Sequence, residues 1–116
     1  MLRRFFKSIG FAAKGIWQAW SQGRNFRIQC AVTVAVIAAG FWLKVSPFEW
    51  TVLLICVALV LSAEVFNTAI ERMVDEIHPD VHPKAKLIKD LAAGAVLILS
   101  LFSAAVGVLI LLPKIL

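Results

Sequence analysis

At 116 residues the chain is long enough for one domain and too short for two. It is 61% hydrophobic with a mean hydropathy of +0.89, more apolar surface than a domain of this size can hide from water, so a soluble globule is excluded and the bilayer is the expected solvent. The net charge of +5 is unevenly spread: Arg3, Arg4, Lys7, Lys14, Arg24 and Arg27 precede any acid, and six of the seven acids lie between Glu64 and Asp90.

A basic start can serve nucleic acid, but this one leads into apolar spans, and anionic lipid headgroups are the expected partner. Residues 1–27 read as an amphipathic helix on the membrane surface. LRRFFKSIGFAAKGIWQAWS sets Phe5, Phe6, Ile9, Phe11, Ile16, Trp17 and Trp20 among basic residues, so aromatics point inward and cations reach headgroups. Gly10 and Gly15 weaken that helix. Apolar and basic residues alternate without a compact apolar core before a small-residue cleavage site, unlike a secretory signal.

Residues 28–43, IQCAVTVAVIAAGFWL, form the first expected span. It is short, so the flanking Arg27, Trp42 and Lys44 belong at the interfaces. VSPFEW follows as a tight turn, with Pro47 near the next helix start. The second span begins at 47 and continues as helix through 75, its last part leaving the membrane. The two His-Pro pairs of HPDVHP, residues 78–83, predict a loop. Residues 91–112 form the third span, 22 residues without a charge, and its Ala92, Ala93, Gly94, Ser103 and Gly107 suit close helix–helix contact. The fold class is therefore all-α: one domain over 1–116, integral to the membrane, with three transmembrane helices and an N-terminal surface helix. Cys30 and Cys56 both lie inside apolar runs without metal-type spacing and read as small packing residues.

Lysine and arginine set the orientation. They crowd the N-terminal segment and residues 72–90 (Arg72, Lys84, Lys86, Lys89), while the turn at 44–50 has only Lys44 and the tail only Lys114. The positive-inside rule puts the N-terminus and the 72–90 segment in the cytoplasm.

The second span ends in AEVFNTAIERMVD, after the charge-free run WTVLLICVALVLS. Glu64, Asn67, Thr68, Glu71 and Asp75 fall within an arc of about 100° on a helix. A carboxylate at the edge of a lipid-immersed run is costly, which marks Glu64 as functional, against the alternative of a helix-end residue reaching for headgroups. Glu71 and Asp75 are four apart and can hold Mg²⁺, a hard cation that takes oxygen ligands; the alternative for Asp75 is an ion pair with Lys86 or Lys89. Lys89 can neutralise phosphate oxygens or anchor a helix boundary. Pro79 spoils a helical metal pair of His78 and His82, and His82 is a candidate base contact or a plain loop histidine. Glu76 points away from the stripe. No phosphate-binding glycine loop of either common type and no Ser/His/Asp arrangement is present, so a nucleotide would be held by helix ends and side chains.

AEVFNTAIERMVD followed by KLIKDLAAGAVLI resembles the small bacterial membrane lipid kinases, the diacylglycerol and undecaprenol kinases, over nearly the whole chain. The resemblance implies a homotrimer of three-span subunits in the bacterial cytoplasmic membrane, transferring the γ-phosphate of MgATP to a lipid hydroxyl at sites shared between neighbours. It implies Glu64 as general base, Glu71 as the metal ligand beside the nucleotide, and Asn67 and Asp75 as supports. Lys89 and Asp90 would contact the nucleotide, and Asp80 and His82 would lie in its loop. Arg4 and Phe11 match N-terminal positions lining the ATP or lipid site, Phe11 lacking the hydroxyl of the tyrosine in some members. Trp20 and Trp42 are, with Glu64, the candidate contacts for the lipid. One departure stands in WSQGRNFRIQ: the family commonly has a metal-sharing Glu where this sequence has Gly23. NFRI and HPKAKLIKDLAAGAVL are closer to undecaprenol kinases than to enterobacterial diacylglycerol kinases, so undecaprenol is the expected lipid and diacylglycerol the alternative. The rival from another class is a non-enzymatic membrane protein, an inactive regulator or an ion-coupled transporter subunit. A transporter would place its ionisable groups near the bilayer midplane, whereas here they gather at one end.

Overall fold

In the computed structural model, which describes residues 1–80 and 82–116, the chain folds into helices joined by short connections, with no strand among the described residues. They are α1 (Leu2–Gln22), α2 (Arg24–Trp42), α3 (Pro47–Ile77) and α4 (Pro83–Ile115). Position 81 of the expected HPDVHP loop lies outside the described residues. The helices α2, α3 and α4 are each long and apolar enough to cross a membrane.

The surface helix stops sooner than the basic pattern suggests. Gly23 leaves the helical region at φ −104° and ψ 103°, while its N–H still donates to the Ala19 carbonyl at 2.8 Å. A Cβ on Gly23 would lie 2.6 Å from the Ala19 carbonyl oxygen, so the corner closes tightly only around glycine. Residues 24–27 consequently open α2 instead of ending α1. Arg24 and Arg27 then sit in the first turn of α2, which has no acid, against the helix dipole; headgroup phosphates are the natural counter-charge.

The α2–α3 connection is set by local chemistry. Lys44 takes a left-handed φ of 55°, and Ser46 caps α3 in a reciprocal box. The Glu49 N–H donates to Ser46 Oγ at 3.1 Å, and the Ser46 N–H donates to Glu49 Oε1 at 2.9 Å. Pro47 occupies the first helical position, where its missing N–H is no loss. Gly40 lets the Trp50 indole lie against α2: a Cβ there would meet the ring at 2.6 Å.

Helix α4 starts well before its apolar run. Pro83 opens it, and His82 Nδ1 accepts from the Lys84 N–H at 3.1 Å. It runs antiparallel to α3, with an ion pair at each end: Lys89 Nζ to Asp75 Oδ1 at 2.8 Å and Lys114 Nζ to Glu49 Oε1 at 3.1 Å. The two clamps are about 26 residues apart on α3, roughly 39 Å along a helix. That exceeds the hydrocarbon thickness of about 30 Å, so both pairs lie at or beyond the interfaces, as charges should.

Buried apolar residues are few and, apart from Phe26, without aromatics: Ala19, Val45, Leu53, Val60, Val74, Ala85 and Val96. Phe41, Phe66, Leu101, Phe102 and Leu109 point outward, a surface suited to lipid. Helix α1 rests on α2 and α3 through its C-terminal end; residues 1–18 are all exposed.

Candidate active site

The α3 stripe forms as its spacing requires. Glu64 is 3% exposed and Asn67 is 7% exposed, the two buried polar residues of a helix otherwise packed through valine and leucine. Asn67 Nδ2 donates to Glu71 Oε1 at 3.2 Å one turn further on. Thr68 is the stripe member spent locally, its hydroxyl donating to the Glu64 carbonyl at 2.9 Å. Asn67 Oδ1 is buried without a hydrogen-bond partner.

Beyond the stripe, the end of α3 and the start of α4 enclose a hollow of about 240 Å³, bordered by Asp75, Asp80, His82, Lys86, Lys89 and Asp90. It gathers the sequence-predicted nucleotide residues Asp80, His82, Lys89 and Asp90 on one side of the hairpin. Lys89 is tied to Asp75, and Lys86 bonds Asp90 Oδ2 at 2.6 Å. Asp75 thus takes an ion pair with Lys89, one of the two roles its position allowed. Lys89 precedes the apolar run, and its hydrogen bond to Asp75 raises its pKa above the ordinary lysine range, with the Asp75, Glu71 and Asp90 charges adding to the effect. Its ammonium stays charged and can meet phosphate. The His78 and His82 rings lie 5.7 Å apart, and the His82 Nδ1 lone pair is occupied as a helix cap. Glu76 faces solvent and pairs with Arg72 at 3.4 Å, apart from the stripe.

Other expected residues are not drawn into this cluster. Arg4 and Phe11 stand exposed on the N-terminal part of α1. Trp20 lies near its other end, 40% exposed. Trp42 closes α2 at the end of the bundle where α3 begins, away from Glu64. One interhelical polar pair lies outside the expected set: Gln29 Nε2 of α2 donates to Ser100 Oγ of α4 at 3.1 Å. The available signal was an amide in an apolar span, which in lipid requires a partner.

Among the described residues no three His, Cys, Asp or Glu side chains come together as a closed cage. What the stripe offers is the Glu71 carboxylate with the unpartnered Asn67 Oδ1 beside it. That fits Mg²⁺, which keeps waters and phosphate oxygens and needs one or two protein oxygens.

An all-helical membrane protein with a buried carboxylate at the edge of a span, and a cationic and acidic hollow beyond it, has the parts for chemistry between a lipid and a soluble anionic substrate. Comparison with known proteins gives the class. Residues 10–111 match the family described as prokaryotic diacylglycerol kinase, and the chain belongs to that family. It is 43% identical over 113 residues to the undecaprenol kinase of Bacillus subtilis (strain 168), covering 97% of this chain and 92% of that protein. It is 39% identical over 110 residues to a diacylglycerol kinase of Synechocystis sp., covering 94% of this chain and 63% of that one. With the diacylglycerol kinase of Escherichia coli (strain K12) it shares 33% identity over 95 residues, 82% of this chain and 78% of the relative. The chain is a membrane lipid kinase.

Proposed function

We propose that this kinase transfers the γ-phosphate of ATP to the hydroxyl of undecaprenol, with Glu64 as general base. The observation that carries the reading is the near-complete burial of Glu64 at the end of an apolar run, on the same helix face as Glu71. A lipid hydroxyl arriving from within the bilayer meets that carboxylate before it meets water. Glu64 takes the proton as the lipid oxygen bonds to the γ-phosphorus in line, the bond from that phosphorus to the bridging oxygen breaks, and ADP leaves with the electron pair. Lys89, oriented by Asp75, faces the phosphates, and His82, Asp80 and Asp90 border the nucleotide. Mg²⁺, when bound, neutralises charge on the phosphate oxygens, and Glu71 with Asn67 would hold it.

Undecaprenol is preferred because the similarity is greater, and covers more of both chains, for the undecaprenol kinase than for the diacylglycerol kinase of E. coli. The Lys/Arg asymmetry supports a multi-pass protein of the bacterial cytoplasmic membrane, with the N-terminus and the 72–90 segment inside, where ATP is available. The exposed position of Arg4 and Phe11, away from their own stripe, supports a homotrimer in which a neighbour's α1 completes each site.

The reading is tested with purified protein in mixed micelles, γ-labelled ATP, Mg²⁺ and a panel of undecaprenol and diacylglycerol. A higher kcat/KM for undecaprenol is expected. A ratio favouring diacylglycerol reverses the choice of lipid, and absence of any phosphorylated lipid overturns the reading.

A further inference from the structure

The surface helix meets the membrane helices only at its C-terminal end. Residues 1–18 are exposed, and Ala19 is the one buried residue of α1. Beside it a hollow of about 380 Å³ separates Gly15 and Gln18 of α1 from Val65 and Ala69 of α3, so little apolar packing fixes the helix there. A chain of polar contacts spans the gap instead. On α1, Gln22 Nε2 donates to Gln18 Oε1 at 2.5 Å. Gln22 Oε1 accepts from Arg72 Nη1 of α3, and Arg72 Nε donates to Glu76 Oε1 at 3.4 Å. Among the described residues, the Arg72–Gln22 bond is the only side-chain hydrogen bond from α1 to another helix.

Embedded aromatics such as Phe5, Phe6 and Trp17 set the depth of α1 in the membrane, but they leave it free to swing in the membrane plane. Only a contact with the bundle fixes that direction. Arg4 lies 18 residues before Gln22, roughly 27 Å along a helix, so a swing of about 10° would carry it about 5 Å. A misplacement of about 1 Å is already enough to weaken a positioned contact. We propose that Arg72 is a positioning residue for the kinase reaction: through Gln22 it sets the direction of α1, and so delivers Arg4 to a nucleotide site. The proposal rests on the reading that α1 carries Arg4 and Phe11 to an active site. Arg72 follows Glu71 in the chain, but its guanidinium is engaged by Gln22 and Glu76, so it acts through α1 and not on the phosphates. An exposed tie with only a structural role would add little stability and leave the KM for ATP of the folded protein untouched.

The test uses the full-length protein in mixed micelles with MgATP and whichever lipid of the panel it phosphorylates faster. Arg72→Ala is expected to raise the KM for ATP about tenfold, the scale of one lost hydrogen bond to a charged group, with a smaller change in kcat. Gln22→Ala, at an exposed helical position where alanine is well tolerated, gives the same rise and covers the case in which Arg72→Ala unfolds the protein. The double variant is no worse than either single one, because both changes break one contact. Arg72→Lys keeps a cationic donor for Gln22 and restores most of the affinity. Melting temperatures in the same micelles establish that each variant is folded. A second readout is the distance between nitroxides on Ser8→Cys and Ile77→Cys, with Cys30 and Cys56 replaced and labelled subunits diluted among unlabelled ones. Its distribution broadens in both alanine variants. Native KM in both folded alanine variants overturns the proposal, as does an unchanged distance distribution or a multiplicative loss in the double variant. A rise for Arg72→Ala alone also overturns it, since that is the result for an arginine that touches phosphate directly. Arg4→Ala separates the two ideas. If it leaves the KM for ATP unchanged, the role of α1 at the nucleotide falls and the positioning role with it. If it raises the KM while the Arg72 and Gln22 variants are normal, only the positioning role falls.

Discussion

Asn67 donates through Nδ2 to Glu71 and leaves Oδ1 buried without a donor. An unmet buried carbonyl costs about 1–3 kcal/mol, so stability alone does not favour it; under the proposed function it is an oxygen available to a cation held by Glu71. Glu64, Asn67 and Glu71 were legible in the sequence because three- and four-residue spacing places them on one helix face whatever the packing around them. Gln29 and Ser100 were not, because a single polar residue in an apolar run does not tell which helix its partner is on. Gly23 shows the opposite limit. Its departure from the family pattern is visible in the sequence, but the reason the position is demanding, a carbonyl 2.6 Å from any Cβ, is visible only in three dimensions. Replacing it therefore has two effects, which two variants separate. Gly23→Ala and Gly23→Glu should both open the α1–α2 corner and lower the melting temperature by similar amounts. Gly23→Glu should in addition lower the Mg²⁺ concentration for half-maximal activity relative to Gly23→Ala, because it adds a hard oxygen ligand. Equal Mg²⁺ midpoints for the two would show that position 23 does not face the metal.

At the scale of elements, the spans were readable from hydropathy, whereas the capping that sets their ends was read only at Pro47, and Pro83 was expected in the loop. Ser46 followed by Glu49 three residues on is a capping-box pattern, and Pro47 and Pro83 each occupy a first helical turn. The turns of α4 before Lys89 escaped a reading based on apolar runs, since residues such as Lys84 and Lys86 extend a helix without extending a span. The surface helix was overextended to residue 27 because charge pattern is continuous across a corner that glycine geometry breaks. The contact of α2 with α3 gives a prediction at this scale. Gly40→Ala would drive a methyl into the Trp50 ring and should cost about 1–3 kcal/mol by overpacking. Thermal unfolding in detergent should record a lower midpoint, while the KM for ATP stays unchanged because the contact lies at the other end of the bundle. An unaltered midpoint would mean that the indole has another place to go.

For the whole molecule, the two ion-pair clamps of the α3–α4 hairpin and the outward aromatics between them describe a slab of bilayer thickness, with Glu64 and Glu71 toward the Asp75 end of it. Charge bias in the sequence predicts that this end is cytoplasmic, whereas the assembly of copies is not encoded in any simple periodicity. With Cys30 and Cys56 replaced, Lys84→Cys should resist an impermeant thiol reagent added outside intact cells and react after permeabilisation. Labelling from outside would contradict the orientation and the access to ATP together. The proposed reaction depends on a carboxylate buried at the membrane edge that takes a proton from a lipid hydroxyl. The direct measurement is the turnover of Glu64→Gln in mixed micelles alongside its nucleotide affinity: a fall in kcat on the order of 10² or more with nucleotide binding retained is predicted, and near-normal turnover would contradict it.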